Sequence, residues 1–139
     1  MFIKLKFLRA LLSGWKTREG RQGVLGKGVS NITVGQNIVL QTWTLLVWWT
    51  VTSIEVFDCA SVMLQNVGYE HFVPWASSMM SALRVYYECD HKIIGNVSDA
   101  DVWEWDRKIK TNPNVKYFSF EGKTERLKWP VRPPSPPLS

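Results

Sequence analysis

The feature that most constrains this chain is an interruption that never comes. From Gln36 to Val67 there is no glycine or proline, and residues 37–57, NIVLQTWTLLVWWTVTSIEVF, hold no Lys or Arg and one acid, Glu55. A sheet needs a turn within such a length, and the usual turn residues are missing. Val, Ile, Thr and Trp favour strands, yet the unbroken length argues for one helix over 29–66. Its Gly- and Pro-free part would be about 48 Å long at 1.5 Å per residue. That exceeds the roughly 30 Å of hydrocarbon in a bilayer. The sequence therefore predicts a transmembrane helix with its span at about 37–57.

The predicted helix has a polar seam. At about 100° per residue, Gln41, Thr44, Thr52, Glu55 and Asp58 share a face with Trp48, while Val39, Leu46, Trp49, Phe57 and Leu64 lie mostly opposite. In a bilayer such a seam meets protein and the other side meets lipid. Gln41, Thr44, Trp48, Thr52 and Glu55 are thus the expected seam interface. On a soluble core the same seam would meet water. The nine Ile, Leu and Val residues between Ile38 and Val56 favour insertion by about 4 kcal/mol in all, and the Thr, Ser, Gln and Glu take much of that back. The span is marginal by itself.

Charge gives the segment a direction. The net charge of +5 is mild for 139 residues, but residues 1–28 hold seven bases against one acid, Glu19, whereas residues 58–139 hold ten of each. A positive-inside bias places the N-terminal side in a matrix-like compartment. The opening MFIKLKFLRALLSGWK reads as a basic amphipathic helix, with Lys6, Arg9, Ser13 and Lys16 on one face and Ile3, Phe7, Leu8, Leu11, Leu12 and Trp15 on the other. This is the character of an uncleaved mitochondrial presequence or an interfacial helix. The remainder of 1–28, rich in glycine, reads as a connector.

Beyond the span, residues 67–127 read as an extramembrane helical part. Pro74 opens a helix over 74–88. Ser98 and Asp101 form a capping box, and Arg107, Lys108 and Lys110 close that helix before Asn112-Pro113. VKYFSF, 115–120, alternates as an extended segment. The tail, 128–139, carries five prolines and is expected as extended polyproline laid along a partner.

Chemistry is sparse. Cys59, His71, Cys89 and His91 match no zinc spacing, and a Cys59–Cys89 disulfide is the more plausible pairing on an oxidising side. The sequons at Asn31 and Asn96 fall on opposite sides of the span and carry no weight. Phosphate loops, nucleophile elbows and helix-spaced histidine pairs are all missing. Trp75, Trp103, Trp105 and Trp129 read as interface anchors in the outer part.

The layout fits a mostly α chain with one transmembrane helix, acting without catalysis or cofactor as an accessory subunit of a membrane complex. The expected setting is a respiratory complex of the mitochondrial inner membrane, with the N-terminus on the matrix side. Its expected partners are other subunits and lipid, with no small-molecule substrate and nucleic acid disfavoured. Two alternatives belong to other classes: a peripheral RNA-contacting subunit of a mitochondrial ribosome or similar particle, and an accessory subunit relaying protons through Glu55.

Overall fold

The computed structural model describes residues 1–92 and 96–128. At its centre is an antiparallel sheet of order β1-β4-β3-β2, curled into a half-barrel. The strands are Glu19–Val24 (β1), Asn37–Gln41 (β2), Leu46–Phe57 (β3) and Val115–Lys128 (β4). The helices are Leu5–Ser13 (α1), Ala60–Val67 (α2), Met79–His91 (α3) and Asp99–Lys110 (α4). This is an α/β architecture, and it overturns the mostly helical, membrane-spanning expectation.

Where one helix was expected over 29–66, the chain builds β2, a turn, β3 and α2. The turn uses a threonine in place of glycine or proline. Thr42 Oγ1 accepts the N–H groups of Thr44 and Leu45 at 3.3 and 3.1 Å, and the Thr42 N–H donates to Leu45 O at 2.9 Å. Val47, Trp49 and Val51 are buried and alternate with more exposed Trp48, Thr50 and Thr52. That period of two is a strand's. Among the described residues no helix is long and apolar enough to cross a membrane. The single-pass inner-membrane placement, with its matrix-side N-terminus, falls with the span. The respiratory-chain setting loses the premise it was built on.

β4 separates two cores. On one face Tyr117 joins Met63, Leu64, Phe72, Leu83, Val102, Trp105 and Ile109, so α2, α3 and α4 pack there. On the other, Phe118 and Phe120 join Leu8, Leu40, Val47, Trp49 and Val51 inside the curl, which α1 plugs. Register shifts between Trp48 and Trp49 and between Val51 and Ser53 bend the β3–β4 pair. Gly122 lies beneath the Trp49 ring, where an added Cβ would come within 2.5 Å of the indole.

Of the expected helices, α4 starts with Ser98 accepting the Asp101 N–H at 3.1 Å. The second outer helix begins later than its proline suggested, at Met79, because Ser78 and Ser81 form the reciprocal cap. α1 forms and buries Leu8 and Ala10, but Lys16 departs from its predicted basic face. The helix ends at Gly14, whose φ of +81° turns the chain beneath it. The proline tail and Trp129 lie outside the described residues.

One buried acid ties the helical layer together. Cys59 stands at the N-cap of α2 and caps nothing. Asp106 of α4, 3% exposed, takes over, accepting the Ser61 N–H at 3.0 Å and the Ser61 hydroxyl at 2.5 Å. The carboxylate also faces the positive end of the α2 dipole. Asp106→Ala takes the carboxylate from these part-buried donors and leaves the Ser61 hydroxyl only Cys59 Sγ at 3.3 Å. It is expected to lower stability by about 2–3 kcal/mol in urea unfolding, and Ser61→Ala, which removes only one of the two donors, by less.

Candidate functional site

The site is built where the predicted connector becomes a strand. After Gly14, the Lys16 N–H donates back to Ala10 O at 2.9 Å, and its side chain runs inward. The amine passes between the Phe7 and Phe72 rings, 5.4 and 5.7 Å from their centroids, and donates to Phe72 O at 2.6 Å. Only 1% of Lys16 is exposed. The N–H groups of Thr17 and Arg18 both donate to His71 O, at 3.0 and 3.1 Å, which pins this segment to the loop before α3. Arg18 then turns outward to Glu55 and Glu121 at 2.9 and 3.0 Å. Glu19 and Arg21, two apart on β1, follow.

β1 is an edge strand, paired with β4 on one side only. Residues 1–3 run beside β2 at the opposite end of the sheet, with Ile3 N donating to Gln41 O and Gln41 N to Met1 O. The curl brings these two edges face to face. Arg21 Nη2 donates to Phe2 O at 2.9 Å across the gap. The seam opens into a cleft of about 960 Å³, with Glu19, Gly20, Arg21 and Gln22 along β1 and Phe2 to Leu5 opposite. Thr42, Trp43 and Thr44 form its rim, while Tyr86, Glu88, Cys89 and Asp90 of α3 and Tyr117 of β4 complete the wall.

Two polar atoms in this region stand out. Glu19 Oε2 and Arg21 Nε are buried and have no hydrogen-bond partner among the described residues. Glu19 is 5% exposed, and its other oxygen stands 3.9 Å from Lys16 Nζ and 3.8 Å from Arg21 Nε, too far for a hydrogen bond. Orphaned polar atoms of this kind cost about 1–3 kcal/mol each. Glu19 and Arg21 line the cleft, with these two atoms buried just beneath its surface, and aromatic rings edge it.

The phenols and the thiol of the cleft wall stay protonated. Burial pushes the Tyr86 hydroxyl well above its ordinary range, with Glu19 adding to the effect. Burial and then Asp90 raise Tyr117 as well. Tyr117 donates to Gln22 Oε1 at 3.3 Å. Cys89 is exposed on the cleft wall, yet partial desolvation raises its thiol, with Lys4 and Arg21 opposing. Both phenols are therefore hydrogen-bond donors at neutral pH, and Cys89 is a thiol.

The residues chosen from sequence are scattered. Gln41 ends β2 and Thr44 lies on the cleft rim. Trp48 lies outside the curl under Arg126, whose guanidinium carbon is 4.1 Å from its ring centroid, and Thr52 faces solvent. Glu55 is half-exposed and paired with Arg18. Trp75 packs on α1 against Phe7, with ring centroids 5.0 Å apart. Trp103 is exposed on α4, whereas Trp105 is buried and donates to Asp90 at 2.7 Å. Cys59 and Cys89 are free thiols, one in the helical core and one on the cleft, so the expected bridge is not made.

Sequence reading missed Lys16, Glu19 and Arg21, which it counted only as charge. The signal was present. Glu19 is the one acid in the first 28 residues and is flanked by Lys16, Arg18 and Arg21. In an extended segment, that spacing puts Glu19 and Arg21 on the same side.

Lys16 gives this region a pH signature. Desolvation pushes its amine down to about 8 against the attraction of Glu19, from an unfolded value of 10.5. Between those limits the unfolded chain keeps a proton that the native state has released, so stability from this group rises with pH. The penalty is full below the lower limit and gone above the upper one. The stability of the wild type relative to Lys16→Met is therefore expected to rise by about 3 kcal/mol from neutral pH to pH ~10.5. Denaturant titrations at several pH values measure it, since the tyrosine and cysteine titrations cancel in the difference.

No family model matches the chain, and no curated protein does. Two solved structures share its fold. The crystal structure of hypothetical protein PH0355 superposes with a TM-score of 0.62 at 18% identity, covering 89% of this chain and 95% of that one. The solution NMR structure of protein PF0455 from Pyrococcus furiosus gives 0.59 at 19% identity, covering 90% and 94%. At such identities the likeness establishes the architecture, and it extends over nearly the whole of each chain. A mitochondrial membrane setting finds no support in it.

Proposed function

We propose that the seam cleft is a recognition site for a planar, polar heterocycle of the kind a nucleobase presents. The observation that carries the reading is the pair of unmatched buried atoms, Glu19 Oε2 and Arg21 Nε. A base edge offers an N–H beside a carbonyl or ring nitrogen, and each finds its complement here. Both atoms are buried, so the ligand must draw the Glu19 and Arg21 side chains toward the cleft, where Glu19 accepts the N–H and the Arg21 Nε–H donates to the neighbouring acceptor. The edge of Tyr86 forms part of the wall, Phe2 and Trp43 supply exposed aromatic surface, and Lys4 and Arg21 bring positive charge to the mouth.

Competing ligands satisfy the pair less well. A carboxylate or a free phosphate would suit Arg21 but would face the Glu19 carboxylate at close range. A purely apolar ligand would leave both atoms unmatched. A flat ring with an amide-like edge meets both atoms at once, and base recognition in unpaired strands commonly joins such edge contacts to aromatic surfaces. Of the functions drawn from the sequence, contact with RNA is the one this cleft supports, although nucleic acid was the disfavoured partner there.

Calorimetric titration of the full chain with the four ribonucleoside 5′-monophosphates tests the reading. At least one is expected to bind, and Glu19→Gln is expected to weaken it by a factor of ten or more, corresponding to about 1.4 kcal/mol or more for a charged edge contact. The substitution keeps the shape of the side chain, so near-unchanged thermal unfolding confirms that the fold survives. Equal binding by wild type and Glu19→Gln, or no binding by the wild type, would overturn it.

A further inference from the structure

Edge recognition at Glu19 and Arg21 leaves the most exposed ring on the cleft without a role. Trp43 projects from the β2–β3 turn with 76% of its surface exposed, more than any other large hydrophobic residue described. The Thr42 hydrogen bonds lock that turn, so the indole is held out on a fixed support. Among the described residues no ring pairs with it. Phe2, 65% exposed, is brought to the same rim because it bridges to Gln41, two residues before Trp43. Both line the cleft that holds Glu19.

Resting on the base-binding reading, we infer that Trp43 and Phe2 form a second ring-binding position. They stack the nucleotide next to the one whose base lies at Glu19, so the ligand is a single strand of two or more nucleotides. Charge fixes the path. Lys4 stands on the wall beside Phe2 and has no ion-pair partner among the described residues. The α3 wall presents Glu88 and Asp90, which repel phosphate. The strand therefore leaves past Lys4 and over Trp43. Stacking on an indole tolerates any base, so identity is read at Glu19 and Arg21, while Trp43 adds affinity.

The test compares ribonucleoside monophosphates with single-stranded RNA hexamers carrying the preferred base, titrated into the full-length wild type and Trp43→Ala. The hexamer is expected to bind the wild type more tightly than the monophosphate. Trp43→Ala is expected to weaken the hexamer roughly tenfold while leaving the monophosphate within about twofold, and Trp43→Phe to retain most of the hexamer affinity. Because Trp43 is exposed, its loss leaves the core intact, and thermal unfolding checks this. A hexamer that binds no better than the monophosphate, or Trp43→Ala acting equally on both probes, would overturn the inference. If the monophosphate binds through Glu19 but Trp43→Ala alters neither probe, this inference fails and the base-binding reading stands. If neither probe binds the wild type, both fail.

Discussion

The pairing of β3 with β4 is the constraint on which the rest of this structure depends. β4 is hydrogen-bonded along both edges, to β1 and β3, and is buried on both faces from Tyr117 to Phe120. Alternation sends Tyr117 into the helical layer and Phe118 and Phe120 into the curl. The two cores therefore share one strand as their common wall. The register shifts beside Trp49 and Val51 bend that wall, and the bend brings β1 round toward residues 1–3. Without the bend the sheet would be open, and Glu19 and Arg21 would sit on a solvated edge.

Stability alone does not account for the charges near that edge. A buried lysine whose amine is pushed down to about 8 is a burden on the fold at neutral pH. Its attraction to Glu19 across 3.9 Å offsets only part of the desolvation, as is common for buried pairs. Two further atoms, Glu19 Oε2 and Arg21 Nε, are desolvated without a hydrogen-bond partner among the described residues. By contrast, Asp106 and Arg18 are each matched by two or more contacts, which is how charges behave when their role is to join elements. These unfavourable local electrostatics gather on and behind β1, and they are the ground on which the binding proposal rests.

How far the sequence could be read depended on which signal was local. The Ser98 cap of α4, its acidic first turn and its basic last turn lie within one helix, and they were legible. The amphipathic α1 was legible for the same reason, up to Gly14. β2 and β3 were not, because the turn between them is closed by the Thr42 hydroxyl, and hydropathy is the same for a core hairpin as for a membrane helix. The period of two in Val47, Trp49 and Val51 was the better guide and was outweighed by length. The cleft was least legible. Its two sides come from residues near 2 and 20 in one stretch and 43, 86 and 117 elsewhere, and only the curl of the sheet unites them.

A half-barrel that nearly closes creates a particular kind of place. Edge strands carry backbone and side-chain groups that a neighbouring strand would otherwise satisfy. In a fully closed barrel those groups pair with one another, and in an open sheet water meets them. Here β1 and residues 1–3 face each other across the cleft, and in the seam only the Arg21–Phe2 hydrogen bond joins the two sides directly among the described residues. The polar groups between them are held in fixed positions at reduced dielectric, where a hydrogen bond to a ligand is worth more than in water. That same geometry leaves Glu19 Oε2 and Arg21 Nε without a hydrogen-bond partner among the described residues.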